Sequence, residues 1–448
     1  MIINLINIEK YKDKDIIIKE GTIGNKFYIV KSGFVEIFSK EKYLRTLNEK
    51  EYFGERSLLT NEMRSATVIA KGNVELYSLD KESFLVNLSP LMKDYLHKRL
   101  YLHDETVSLD DLIFIKSLGK GNYGSVSLVM NTKTNFPYAI KAISKDHIKY
   151  EDLMKNIQLE KQILLKIDHP FIVKSVKCLK DDINIYILLE YLKGKELFDV
   201  IRDIGLLNKK QTNFYIASMF VAINYLHERK IIYRDIKPEN IIVTSKGYLK
   251  LIDFGTAKEI KEKERTSTII GTPHYMAPEI ILGRGYSFQV DYWSISICMY
   301  EFICGGVPFG ESLEDPIDIY FSVMNQKLSF PPCCINDMNF KLLMKEMLEK
   351  NPSCRLTSFE SIKAHAWFKN FNWDELCNLN VDPPYKPILL KNKYDFNDRC
   401  EPCFNVNGNQ FKSYKDYIKE SANDYQINTN YELSKEKLDE YNSWLANF

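Results

Sequence analysis

Tyr233-Arg-Asp235-Ile-Lys237-Pro-Glu239-Asn240, with Asp253-Phe-Gly255 downstream, decides how this chain is read. Between them stand Ile241-Ile-Val243 and Tyr248-Leu-Lys-Leu251, two short apolar runs that read as a strand pair. Asp235, Lys237, Asn240 and Asp253 are expected to meet there, two carboxylates with an ammonium and a carboxamide around one centre. Asp-Phe-Gly alone arises by chance. The ordered combination does not.

Upstream, Gly119-Lys-Gly121-Asn-Tyr-Gly124-Ser-Val126 supplies the second part. Glycines at these spacings let two strands turn tightly and bring backbone N–H groups close to phosphate oxygens. By itself the motif is weak, because dinucleotide-binding loops share it. Here it is followed by Tyr138-Ala-Ile-Lys141, a strand ending in a lysine that can reach phosphates. Glu160 then stands in the helical stretch Glu160-Lys-Gln-Ile-Leu-Leu165, able to pair with Lys141, and Ala277-Pro-Glu279 lies further on. This order of parts belongs to phosphoryl transfer, where catalysis rests on positioning and charge neutralisation rather than covalent help. In that chemistry Asp235 accepts the proton of a hydroxyl, Lys237 stabilises the transferring group, and Asn240 and Asp253 hold Mg²⁺ between the phosphates of ATP.

Residues 111–368 resemble the protein kinases of the group that includes the cyclic-nucleotide-dependent enzymes. The likeness runs on through Asp291-Tyr-Trp293-Ser-Ile and Arg355, which it implies pair with the loop backbone and with Glu279 respectively. Tyr233 stands where histidine is more widespread, as is usual in this group. Every position needed for transfer is intact, so the resemblance implies an active, bilobal enzyme.

The same resemblance implies finer roles. Lys237 with Gly271-Thr272-Pro273 points to serine and threonine acceptors, with Thr272 hydrogen-bonded near Asp235 and Lys237. Glu196, Glu239 and Glu301 align with carboxylates that bind arginines ahead of the acceptor, which implies basic protein substrates. Thr268 occupies the place of an activating phosphothreonine, to be gripped by Arg234, with Thr266 and Ser267 as adjacent acceptors. Adenine is expected between Val126, Ala139 and Ile242, bonded to the backbone from Glu190 to Leu192, with Leu189 guarding the pocket behind it. Glu196 is counted with the ATP-binding residues as well as with the substrate set.

From Asn7 to Asp80 short alternating strands broken by glycine turns read as an all-β roll. Within it, Phe53-Gly54-Glu55-Arg-Ser57-Leu-Leu59 and Arg64-Ser65-Ala66-Thr67 resemble the phosphate-binding cassette of cyclic-nucleotide-binding domains. Gly54 permits a tight turn, Glu55 can bind a ribose 2′-OH, and Arg64 can neutralise the cyclic phosphate. Ser57 departs from the alanine of most relatives. Ser65 before Ala66 implies a preference for cGMP, through guanine's 2-amino group, although one such bond contributes only about 0.5–1.5 kcal/mol. Fusion of the sensor to the catalytic domain also resembles the cGMP-dependent kinases. A helix is expected from Phe84 to Tyr101, leading into the connector, and nucleotide binding would shift its position. His103 and Asp104 read as solvated helix-end residues, with capping of the bound base as the alternative. Relatives carry an inhibitory segment and further sensors upstream. None is visible before Asn4, as expected of a short isoform, a fragment or a truncated gene model.

The fold class expected is a multidomain α+β chain. A β-roll cyclic-nucleotide-binding domain covers 4–104, a connector 105–110, a bilobal kinase domain 111–368 and an extended tail 369–448. Phe371-Asn-Trp373, Asp382-Pro-Pro384 and Trp444-Leu-Ala-Asn-Phe448 resemble the tail that wraps this kinase group, and its last aromatics are expected to dock beside the Glu160 helix. A net charge of +1, from 61 basic and 60 acidic residues, provides no bulk attraction to nucleic acid or membrane. No window has the apolar length of a membrane span, and nothing near the start reads as a signal peptide. Nine scattered cysteines therefore read as free thiols of a cytoplasmic enzyme, with peripheral membrane association left open. Cys400-Glu-Pro-Cys403 reads as ordinary loop thiols. Three functional readings stand: a cGMP-regulated kinase first, the same enzyme under cAMP second, and a non-catalytic scaffold that only transmits nucleotide binding.

Overall fold

The computed structural model describes residues 6–103, 106–121, 124–145, 151–261, 264–332, 337–389, 396, 411–423 and 444–445. Asp104, the Cys400–Cys403 stretch and Phe448 lie outside the described residues. The chain divides into two compact units: Met1–His103 with Asn378–Val381, and Asp104–Cys377 with Asp382–Phe448.

The first unit runs β1 (Asn7–Tyr11), β2 (Ile16–Ile18), β3 (Lys26–Ser39), β4 (Lys42–Leu47), β5 (Tyr52–Phe53), α1 (Glu55–Thr60), β6 (Thr67–Asp80), α2 (Lys81–Asn87) and α3 (Pro90–Leu102). Its sheet is antiparallel, ordered β1-β6-β3-β4, with β2 on β6 and β5 on β3. Alternation along β3 and β6 sends Tyr28, Val30, Val35 and Ile37 and Val68, Ala70, Val74 and Leu76 into one core. Register shifts flank Ser32, and Gly33 at φ +85° passes 2.5 Å from the Asn73 carbonyl, measured to where a Cβ would stand. Such irregularities bend the long ribbon into a roll.

The helix expected from Phe84 to Tyr101 is two helices. Pro90 opens α3, where its missing N–H costs nothing, and holds Ser89 at φ −61°, ψ 155°, outside the helical region. The Ser89 hydroxyl caps α3 by accepting from the Met92 N–H at 3.1 Å. The apolar spacing ran across the break because Phe84 of α2 and Leu96 of α3 both pack against Leu58 of α1.

The second unit begins with β7 (Leu112–Gly121), β8 (Gly124–Asn131), β9 (Pro137–Ser144), α4 (Glu151–Lys166), β10 (Ser175–Lys180) and β11 (Asn184–Glu190). Its strands form an antiparallel sheet ordered β10-β11-β9-β8-β7. The chain continues through β12 (Gly194–Glu196), α5 (Leu197–Ile204), α6 (Lys209–Glu228), β13 (Ile231–Ile232), β14 (Ile241–Thr244), β15 (Leu249–Leu251) and β16 (Lys258–Glu259). It ends with α7 (Pro278–Ile281), α8 (Gln289–Cys304), α9 (Pro316–Asn325), α10 (Met338–Met347), α11 (Phe359–Ala364), α12 (Trp373–Cys377) and α13 (Tyr414–Asn423). α6 and α8 are apolar on nearly every side and lie buried at the centre of this helical part, as such helices must. Among the described residues no helix is long and apolar enough to cross a membrane.

The tail read as extended carries α12 and α13. Ser413 Oγ caps α13 by accepting from the Asp416 N–H at 3.1 Å, and Tyr417 stacks on Phe114 of β7 with ring centroids 3.6 Å apart. Tyr414, Tyr417 and Ile418 stand at i, i+3 and i+4, a short apolar stripe within a polar tail. Burial of Tyr414 and Ile418 and stacking of Tyr417 hold the helix. Further on, Trp444 and Leu445 pack on Ile143, Met154, Ile157 and Ile185, and Trp444 Nε1 donates to Gln158 Oε1 of α4 at 2.9 Å.

Candidate functional site

The loop from Tyr233 to Asn240 is held from behind by a buried carboxylate. Asp291, near the start of α8 and fully buried, accepts from the backbone N–H groups of Tyr233 at 3.0 Å and Arg234 at 2.8 Å. His227 Nε2 lies 2.7 Å from the same carboxylate. Arg234 takes a left-handed φ of 73°, which turns Asp235 away from the backbone anchor. The buried ring of Tyr233 meets Phe254 edge-on at 5.2 Å, and its hydroxyl donates to the Ile252 carbonyl. The Ile252 N–H in turn donates to the Asn240 carbonyl at 2.9 Å. Two segments far apart in sequence are thus sewn together, with Asp253 beside Asn240.

Three of the side chains expected to meet, Asp235, Lys237 and Asn240, gather around Asp235, and Asp253 lies beside Lys141. Asp235 Oδ1 accepts from the Thr272 hydroxyl at 2.7 Å, while Oδ2 accepts from Asn240 Nδ2 at 2.8 Å and lies 3.1 Å from Lys237 Nζ. Lys237 Nζ also donates to Thr272 Oγ1 at 2.8 Å, closing a triangle of Asp235, Lys237 and Thr272. Asn240 has its amide committed to Asp235, leaving its carbonyl oxygen as an acceptor. Asp253 sits at φ 56°, an uncommon conformation for a residue with a side chain and one that clusters at active sites. Its carboxylate is 3.8 Å from Lys141 Nζ, which bonds the buried Glu160 at 2.7 Å. Burial alone would lower the basicity of Lys141, but the Glu160 and Asp253 carboxylates outweigh it and hold the ammonium above its ordinary pKa.

Above this cluster, Gly121 pairs with Gly124 to close the β7–β8 ribbon. A Cβ at Gly124 would stand 1.9 Å from the Ala142 carbonyl, so the neighbouring strand admits only glycine there. Across the same ribbon Val126 faces Gly119 on one side and Lys141 on the other. Ala139 pairs with Leu189, and Ile242 pairs with Glu196. Ala139 thus stands at the start of the linker that Leu192 continues, and Ile242 at its far end on the second sheet. The side chain of Glu190 turns the other way: its buried carboxylate pairs with Lys250 Nζ at 2.6 Å, and its N–H donates to the Lys174 carbonyl.

In the first unit Gly54 adopts φ +89° immediately before α1, and Arg64 folds back beneath it. Arg64 Nη1 donates to the Gly54 carbonyl at 2.6 Å and Ser57 Oγ at 2.8 Å, and Nη2 donates to the Lys26 carbonyl at 2.6 Å. Burial lowers the basicity of this guanidinium, with Tyr28 and Glu55 opposing from a distance. Glu55 and Ala66 are partly buried and Ser65 is exposed, so the cassette offers a cation at its floor and polar groups nearer its rim. His103 is partly buried at the end of α3.

A model of the protein kinase domain matches residues 112–368, more than half of the chain. The chain belongs to the protein kinase family. A model of the cyclic nucleotide-binding domain matches residues 8–88. The chain is similar to the cGMP-dependent protein kinase of Plasmodium berghei, at 42% identity over 389 residues, covering 86% of this chain and 45% of that protein. It is 43% identical over 383 residues to the cGMP-dependent protein kinase of Eimeria tenella (84% and 38% covered) and 42% identical over 392 residues to that of Toxoplasma gondii (86% and 39%). The chain spans less than half the length of each of these relatives.

Within the kinase domain, Arg355 grips Glu279 with two bonds of 2.7 and 2.9 Å, both partners buried, which fixes the Ala277-Pro-Glu279 segment. Glu196, Glu239 and Glu301 carry no cation among the described residues. Burial raises the pKa of Glu196 and Glu301, with further upward pushes from Asp199 on Glu196 and from Glu239 on both, while a 2.7 Å bond from the Tyr275 hydroxyl pulls Glu301 back. One buried oxygen of Glu239 lacks any hydrogen-bond partner. Thr268 is exposed and lends only its carbonyl, to Tyr286 Oη at 2.6 Å, whereas Thr266 is buried. The Arg234 guanidinium donates from Nε to the Thr256 carbonyl at 2.5 Å. Sequence reasoning passed over Lys258, whose ammonium bonds Thr266 Oγ1 at 3.2 Å and brings a cation into the loop. The signal was its place just past Asp253-Phe-Gly255, on a two-residue strand too short to recognise.

Proposed function

We propose that this chain is a serine/threonine protein kinase that transfers the γ-phosphoryl group of ATP to protein substrates with basic residues ahead of the acceptor. In this reading cyclic nucleotide, cGMP in preference to cAMP, regulates it from the N-terminal domain. The observation that carries the proposal is the Asp235 carboxylate, bonded at once to Thr272, Lys237 and Asn240. An oriented carboxylate beside an ammonium is what a hydroxyl acceptor requires: Asp235 takes its proton while Lys237 holds negative charge on the group being moved. Thr272 fixes both.

The residues present also fit Mg²⁺. Asn240 and Asp253 are oxygen donors on adjacent backbone, as a hard cation prefers. Among the described residues no cluster of three or more His, Cys, Asp and Glu side chains could hold an ion unaided, which suits an ion shared with nucleotide phosphates. When bound, the metal supplies charge neutralisation. Lys141, oriented by Glu160, serves the phosphates. Val126, Ala139, Leu189 and Ile242 contribute the apolar walls for adenine, with the backbone from Glu190 to Leu192 as its polar edge.

Glu196, Glu239 and Glu301, partly desolvated and without cations, support guanidinium recognition. Thr268, exposed in the loop that Arg234 and Lys258 flank, is the phosphorylation site of this reading. In the first unit, Gly54, Glu55, Arg64, Ser65 and Ala66 form the cyclic-nucleotide site, and the names of the similar proteins support cGMP as its ligand. Free thiols such as Cys178 and Cys298 suit a cytoplasmic location. The test is phosphotransfer to an arginine-containing peptide, titrated separately with cGMP and cAMP, with Asp235→Asn as control. Activity should rise at lower cGMP than cAMP and fall at least about 10²-fold in the variant. Equal phosphotransfer by wild type and Asp235→Asn would remove the enzyme assignment, and activation at lower cAMP would replace the regulator.

A further inference from the structure

Ser57 and Arg64 are both more than nine-tenths buried, exposing 3% and 7% of their surfaces. A buried guanidinium normally faces a carboxylate, because an unpaired charge is costly to desolvate. Here its bonds go to two backbone carbonyls and one hydroxyl, all neutral. The surroundings are closed on two sides by glycine. A Cβ at Gly24 would stand 2.0 Å from Ser57 Oγ and 2.8 Å from Arg64 Cζ, and one at Gly54 would stand 2.8 Å from Arg64 Nη1. The site is built to hold a cation whose neutralising partner comes from outside.

The hydroxyl of Ser57 has a specific place in it. Its oxygen accepts from Arg64 at 2.8 Å, which uses one of its two lone pairs. Its own proton has only the Gly54 carbonyl, at 3.5 Å, the outer limit of a hydrogen bond. A strong acceptor role combined with a poorly used proton describes a donor awaiting a better acceptor beside the guanidinium. Alanine at this position would have no such proton.

We propose that Ser57 is a ligand-binding residue: its hydroxyl both orients Arg64 and donates to the phosphoryl oxygen that Arg64 neutralises. This rests on the reading of the N-terminal domain as a cyclic-nucleotide site and adds to it a contact made by the Ser57 side chain. Because the cyclic phosphate is common to cGMP and cAMP, Ser57 strengthens binding of both alike, whereas Ser65 acts on their ratio.

The test is binding of cGMP, cAMP and the two phosphorothioate diastereomers of cGMP to the full chain, by calorimetry, for the wild type, Ser57→Ala and Ser65→Ala. Ser57→Ala should weaken cGMP and cAMP by the same factor, about three- to ten-fold, as expected for one lost hydrogen bond. Sulfur accepts hydrogen bonds poorly, so the wild type should separate the two diastereomers more widely than Ser57→Ala does. That ratio is internal to folded protein and does not respond to a general loss of packing. Ser57→Cys, nearly isosteric with a weak donor, should shrink the ratio in the same way. An unchanged diastereomer ratio, or cyclic nucleotides bound equally or more tightly by Ser57→Ala, overturns the proposal. Failure of the wild type to bind either nucleotide instead overturns the sensor reading beneath it.

Discussion

Glu190 and Lys250 form an ion pair of 2.6 Å in which neither side chain exposes as much as a tenth of its surface. Glu190 closes β11 at the start of the linker, and Lys250 is the middle residue of β15, whose chain runs on to Asp253. The Lys250 ammonium also donates to the Ile172 carbonyl at 3.2 Å. The linker is therefore fastened to the strand that leads to Asp253. Lys250→Met would leave a carboxylate buried alone, a loss of about 3–5 kcal/mol, while the double change Lys250→Met with Glu190→Gln should lose much less. Urea unfolding of these two variants and of Glu190→Gln alone measures this. Additive losses would show that the two side chains act independently.

The bonds around Asp235 predict a kinetic signature. Asp235→Asn should lower kcat by about 10²- to 10⁴-fold, the usual contribution of a general base, with ATP affinity preserved because Lys141 and Glu160 are untouched. Thr272→Ala should lower kcat less, since Asn240 and Lys237 still orient the carboxylate. An Asp235→Asn enzyme with unchanged kcat contradicts the assigned role.

Glu196 and Glu301 predict a pH effect whose sign follows from burial. Their raised pKa values mean that ionisation is disfavoured in the folded state. They contribute stability fully present below the unfolded-state pKa and lost as pH rises through the raised folded value. An arginine of a bound peptide favours the ionised form. The KM for an arginine-containing peptide should therefore rise as pH falls, with a midpoint above the ordinary glutamate range, and Glu301→Gln should flatten the profile. A profile identical in variant and wild type would place the arginine elsewhere.

Trp444 packs beside α4, the helix that carries Glu160, and bonds Gln158. Trp444→Ala should destabilise the domain by about 1–3 kcal/mol, given the apolar surface exposed, and should speed amide exchange along α4. Unchanged exchange there would reduce the tail to passive covering.

Thr268→Ala should lower the activity of phosphorylated enzyme by removing a charge of about −1.5 to −2 available to the loop's cations. Equal kcat for phosphorylated and phosphate-free protein would dismiss Thr268 as a switch.

The amino-acid sequence alone determined which residues supply the charged centre. Asp235, Lys237, Asn240, Asp253, Lys141 and Glu160 stand in motifs whose local geometry is set by glycine turns and short strand pairs, so type and spacing sufficed to read them. The β-roll was legible for the same reason, because alternation over a few residues fixes which side chains face inward. Tertiary structure decided what depends on partners far away in the chain. A single apolar period hid the break at Ser89–Pro90, since both helices bury the same face. α13 carries only the short stripe of Tyr414, Tyr417 and Ile418, and it is the burial of Tyr414 and the stacking partner that Tyr417 finds on β7 that hold it. The Glu190–Lys250 pair and the Ser57–Arg64 bond also emerge only on folding, because the energy of a buried charge depends on which groups enclose it.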